Sequence, residues 1–145
     1  MRQLLILILI LLLFLPGFLQ AQDVHIVEKK SDTLVQLQAF ISKKKFSSQP
    51  YPQFYPGPTS PKAKRSYSRI INKLGRDFRK IHSSGEASDY QFQQAIKQRL
   101  TEFKQLNIAD SEDEDRICLY VEELMGIVGL ESSNGLLNKF RYGLR

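Results

Sequence analysis

From residue 31 onward the apolar positions recur in steps of three and four, the period of a helix with one buried face, and no stretch alternates long enough for a strand. Leu34, Leu37, Phe40 and Ile41 define a first helix over Ser31–Lys45, capped by Ser31 or Asp32 and ending in Lys43-Lys44-Lys45, where cations suit the negative helix end. Ala63, Tyr67, Ile70, Leu74, Phe78 and Ile81 define a long second helix, Pro61–Ser83, opened by Ser60 as cap and Pro61 at the first helical position. Ser88 with Gln91 forms a capping box before Phe92, Ile96, Leu100 and Phe103, predicting a third helix over Ser88–Leu106. A fourth, Ser111–Val128, carries Ile117, Val121, Leu124 and Val128 flanked by Tyr120 and Met125, with Ser111 and Glu114 as its capping box and Gly129 as its stop. The turn Ser132-Ser133-Asn134-Gly135 then caps a short helix, Leu136–Phe140.

These elements predict an all-α domain over residues 31–143, a small four-helix up-and-down bundle plus a short C-terminal helix. Its one long connection, residues 47–61, contains five of the chain's six prolines. Proline at that density excludes a helix and favours extended backbone, so the segment reads as a strap laid along the bundle by Tyr51, Phe54 and Tyr55. Gly126, inside the fourth helix, costs roughly 1 kcal/mol relative to alanine; it either lets a neighbouring segment approach or is merely tolerated.

The first twenty-one residues have a different character. Met1-Arg2 precedes the unbroken apolar run Leu4–Leu15, followed by Pro16-Gly17 and Ala21, the organisation of a secretory signal peptide cut after Ala21. The run is shorter than the roughly 20 residues that span a bilayer, so no stable transmembrane segment is expected after cleavage, and a periplasmic or secreted location follows. Residues 22–30 form a loose lead-in. The single cysteine, Cys118, forms no internal disulfide, and the expected state is a buried, inert thiol in a fold held by packing.

Charge is unevenly distributed. Residues 22–109 hold 16 Lys or Arg against 7 Asp or Glu, whereas residues 110–145 hold 4 against 8. Within the basic part, Lys62, Arg65, Arg69, Lys73, Arg76 and Lys80 step by three and four along the second helix, opposite its apolar face. The bland meaning of such a stripe is a solvated face; the functional one is docking on an acidic protein or an anionic envelope surface. Nucleic acid is disfavoured, since export removes the partner and the aromatic-interleaved basic strands of single-strand binders are missing.

Catalytic chemistry is thinly represented. The histidines are His25 in the lead-in and His82 at a helix end, and no zinc-protease, C-x-x-C, nucleophile-elbow or phosphate-loop spacing occurs. The acidic run Asp110–Asp115 lacks the loop spacing and central glycine of a calcium loop and sits where a helix dipole favours negative charge. No catalytic residue, cofactor or metal is therefore expected. Free N–H groups at Ser132, Ser133, Asn134 and Gly135 supply a second candidate site, for a phosphate or carboxylate, although serine side chains commonly satisfy such groups themselves.

With Tyr55-Pro56-Gly57, the acidic helix start and Gly129-Leu130-Glu131-Ser132-Ser133-Asn134-Gly135-Leu136-Leu137 in view, the chain resembles a bacterial family of small helical proteins of unknown function (DUF4844). The resemblance implies the helical fold and an envelope or secreted setting, and it carries no functional residues. The reading is an exported, non-enzymatic interaction or envelope-associated module using the basic stripe; the alternative is a small-ligand or anion-binding protein using the Ser132–Gly135 turn.

Overall fold

The computed structural model describes residues 31–50, 52, 54–108 and 110–143. The chain divides into residues 1–33, of which 31–33 are described and helical, and a compact unit from Leu34 to Arg145. The expected signal peptide and lead-in lie outside the described residues.

Five helices account for the described fold: α1 (31–42), α2 (Pro61–Ser83), α3 (Asp89–Lys104), α4 (Ser111–Val128) and α5 (Leu136–Tyr142). The domain is all-helical. Among the described residues β pairing is confined to one antiparallel bridge, Gln49 to Tyr55. Helix α2 is central, packing on α3 and α4, while α5 lies against both α3 and α4. The expected apolar faces form one core: Leu37 and Phe40 of α1, Tyr67, Ile70, Leu74 and Phe78 of α2, Phe92, Ile96, Leu100 and Phe103 of α3, and Ile117, Val121 and Leu124 of α4 are all buried. Aromatic edges hold its centre, with Phe46 against Tyr67 and Tyr120, and Phe103 against Tyr67 and Phe140.

Several helix ends follow the expected chemistry. Ser60 Oγ accepts from Ala63 N–H at 3.1 Å. The Ser88–Gln91 box is reciprocal, each side chain accepting the other's backbone N–H. Helix α4 stops at Gly129 (φ 74°), where Leu130 N–H reaches Met125 O and Gly129 N–H reaches Gly126 O, the two bonds of a Schellman motif, with Leu130 buried behind it.

Three expectations need correction. Helix α1 ends at residue 42 rather than at Lys45, because the Lys45 ammonium turns back onto the helix end and bonds the carbonyls of Phe40 and Lys43, while Phe46 takes a left-handed backbone (φ 54°) that drives its ring into the core. Helix α4 is capped by Asp110, which accepts from Glu112 N–H at 2.8 Å, so Ser111 is already inside the helix. Of the strap aromatics, Tyr55 is buried but Phe54 is 67% exposed, and Tyr51 lies outside the described residues. Of the two readings of Gly126 the structure favours tolerance, since a Cβ there would meet nothing within 4 Å; close approach falls instead at Gly75, where α1 meets α2 and a Cβ would stand 2.9 Å from Ile41 Cγ1 and 3.2 Å from Phe40 Cδ1.

Candidate functional site

Helix α2 carries eight Lys or Arg and a single acid, Asp77. The packing of α3 consumes that acid: Arg99, buried in α3, pairs with Asp77 at 2.7 Å and with Glu102. Lys73 also reaches Glu102, at 3.2 Å. Burial of Glu102 opposes its ionisation, but hydrogen bonds from Lys73 and Arg99 outweigh that and hold its pKa below the ordinary value. The six expected stripe residues, Lys62, Arg65, Arg69, Lys73, Arg76 and Lys80, are all exposed. Lys73 is the one with an acidic partner; the other five form no ion pair among the described residues.

The N-terminal half of the stripe does not stand alone. The basic end of α1 comes down beside it, and between the two runs a cleft of about 610 Å³. One wall is residues 41–45 with Ser47; the other is Pro61, Lys64, Arg65, Ser68, Arg69 and Asn72. Among the described residues no acidic one lines it. Two of its six cations are committed elsewhere. Lys43 holds both carboxylate oxygens of Glu123, at 2.9 and 3.0 Å. Lys45 is sealed over the α1 carbonyls with its ammonium 4.2 Å from the Phe40 ring centre, and burial with the neighbouring Lys43 charge lowers its pKa to about 8. Lys44, Lys64, Arg65 and Arg69 remain exposed and form no ion pair among the described residues.

The cleft wall is fixed from behind. Phe46 N–H donates to Tyr120 Oη at 2.9 Å, Arg116 donates to Gln49 Oε1 at 2.8 Å and stacks 4.5 Å from the Tyr55 ring centre, and Tyr55 Oη donates to Asp113 at 2.5 Å. All three anchors are on α4. The acidic run is thus divided among local tasks: Asp110 caps, Asp113 holds Tyr55, and Asp115 pairs with Arg141 at 2.6 Å. Among the described residues no three His, Cys, Asp or Glu side chains gather as metal ligands.

The second expected site is differently arranged. Ser132 Oγ accepts from Asn134 N–H at 3.1 Å, Ser133 Oγ accepts from Leu137 N–H at 3.5 Å, and Ser132 O accepts from Gln93 at 3.0 Å. Asn134 and Gly135 both take left-handed backbone, and Ser133 is buried. The turn's hydroxyls serve the turn. Sequence reasoning did not bring Lys44, Lys64 and Ser68 into any site, because residues 43–45 and 64–69 meet only after the proline-rich connection folds, and no periodicity records that.

The fold and this surface define a small all-helical domain with a basic face and a basic cleft. The chain belongs to the family described as Domain of unknown function (DUF4844), which residues 28–145 match. Its fold is similar to that of a DUF3571 family protein from Acinetobacter baumannii, known from a crystal structure, with a TM-score of 0.69 and 25% identity over 80% of this chain and 93% of that one. No curated protein matches the chain.

Proposed function

We propose that this protein is an exported, non-enzymatic binding module that engages an acidic protein partner along the outer face of α2. The observation that carries the reading is the unneutralised line itself: Lys62, Arg65, Arg69, Arg76 and Lys80, spread over about 27 Å of helix at 1.5 Å per residue, with the helix's one acid turned to Arg99. A narrow line of that length suits an elongated acidic element, and its long-range attraction should raise the rate of encounter. Export rests on the charged start and the apolar run Leu4–Leu15, and the non-catalytic role on the absence of any catalytic spacing in the sequence.

The test is capture from an envelope extract by the chain lacking residues 1–21, beside a variant carrying Arg65→Glu, Arg69→Glu and Arg76→Glu. Lys73 is left in place because it serves the α2–α3 contact. One species enriched by the wild type, lost with the variant and weakened by salt is the expected result. Retention of that species by a folded variant would remove α2 as the binding face, and equal dependence seen with anionic vesicles alone would transfer the reading from a protein to the envelope surface.

A further inference from the structure

We infer that the cleft between the end of α1 and the start of α2 is a binding site for a phosphate monoester. The inference rests on the proposal that α2 is an anion-binding face, and it adds a specific pocket and a ligand chemistry to it.

Four features of the cleft carry the argument. Its free cations come from two walls, Lys44 on one and Lys64, Arg65 and Arg69 on the other, so an anion between them is held from both sides. Arg65 and Arg69 are four residues apart, one turn of the same helix, which sets two planar guanidinium forks side by side. Among the described residues no carboxylate lines the cleft to compete for them. Finally, the negative end of the α1 dipole, which would repel an anion, is covered by the Lys45 ammonium on the Phe40 and Lys43 carbonyls, while the positive end of the 23-residue α2 opens the opposite wall at Pro61.

The ligand class follows from the donors. A carboxylate has two oxygens and one charge, enough for a single fork. A phosphate monoester carries close to two charges and three terminal oxygens, enough to meet two forks and an ammonium together. Neutral donors stand beside the cations. Ser68 lines the cleft, and so does Asn72, whose side chain makes no hydrogen bond among the described residues and whose Oδ1 is buried without one. Turning that amide toward a ligand forfeits no existing bond.

The experiment is calorimetric titration of the chain lacking residues 1–21 with glycerol 3-phosphate, and with vesicles of phosphatidic acid in phosphatidylcholine, using acetate and the singly charged ester methyl sulfate at matched ionic strength as controls. The cleft variant is Lys64→Gln with Arg69→Gln; the off-cleft control is Lys97→Gln with Lys104→Gln, two exposed cations of α3 outside both the cleft and the α2 line. Saturable binding of the phosphate monoester that acetate and methyl sulfate do not match, weakened about tenfold or more by the cleft variant and less than about twofold by the control, is the expected result. Binding of the free ester names a soluble ligand, and binding of the vesicle alone with the same variant dependence names a lipid headgroup. No binding of either, or binding that acetate or methyl sulfate equals or that the cleft variant retains, overturns the inference. Capture of the acidic partner through Arg76 and the rest of the line is unaffected by that outcome, so the two proposals fail separately.

Discussion

The Tyr55 hydroxyl donates a 2.5 Å hydrogen bond to Asp113 across 58 positions of sequence, and both side chains are buried, Asp113 to 3% exposure. This contact fastens the proline-rich connection to the first turn of α4. A buried carboxylate that loses its donor bears the full desolvation cost, so Tyr55→Phe is expected to destabilise the domain by about 1–3 kcal/mol. Asp113→Asn keeps an acceptor in place without the charge and should cost less. Urea denaturation of the two variants checks the order; a Tyr55→Phe cost below that of Asp113→Asn would show that the bond does not hold the connection.

The same pair makes a prediction about pH. Burial, reinforced by the Asp110 charge and only partly opposed by the Tyr55 bond, raises the Asp113 pKa above its ordinary value. A carboxyl with a raised folded pKa binds more protons folded than unfolded, so its favourable contribution is present at low pH and is lost as pH rises through the folded pKa. Asp113→Asn removes that loss. The stability of the variant relative to wild type should therefore improve between about pH 4 and pH 7. Glu102, whose pKa is lowered, acts in the opposite sense, and its contribution disappears on acidification.

The Tyr55–Asp113 contact also marks the limit of what the sequence discloses. The helices were legible because their apolar faces repeat over three or more turns, and the boundaries of α2 and α4 coincide with their caps and stops. Asp113 was not legible as a buried residue, since an acid in a helix's first turn has a sufficient local explanation in the dipole. Lys45 was hidden likewise, as one of three cations at a helix end. The basic line on α2 could be read because it lies on one element; the cleft could not, because its walls come from α1 and α2 and join only through tertiary folding.

Two glycines inside helices should respond with opposite sign. Gly126→Ala adds a methyl group into open space and removes the conformational freedom of a glycine, so it should stabilise by about 0.5–1 kcal/mol. Gly75→Ala gains the same propensity but drives a Cβ to 2.9 Å from Ile41 Cγ1, and overpacking of that kind costs roughly 1–3 kcal/mol. A net loss is expected at Gly75. Thermal melts of the two variants decide it, and a stabilised Gly75→Ala protein would mean that α1 can retreat from α2 cheaply.

Cys118 is 0% exposed on the inner face of α4, and burial pushes its thiol up to about 11. The thiolate is the reactive form, so at pH 8 the native protein should be silent toward a disulfide reagent and should react stoichiometrically once unfolded in urea. Rapid labelling of the native state would show that α4 opens locally.

Lys45 stands in the cleft wall and is the one buried ammonium among the described residues. Burial and the Lys43 charge lower its pKa to about 8 from an ordinary value of 10.5. Between those values the unfolded chain binds the proton more fully than the folded chain does, so this residue's contribution to stability increases as pH rises from about 8 to 10.5. The comparison is with Lys45→Met, which keeps an unbranched apolar chain over Phe40 but cannot bond the carbonyls of Phe40 and Lys43. Urea midpoints at pH 7 and pH 10 should move in favour of wild type relative to the variant at the higher pH, with the titration of other groups cancelling in the difference. A gap that stays constant would place the Lys45 ammonium in contact with water rather than over the helix end, and the shielding of the α1 dipole beside the cleft would fall with it.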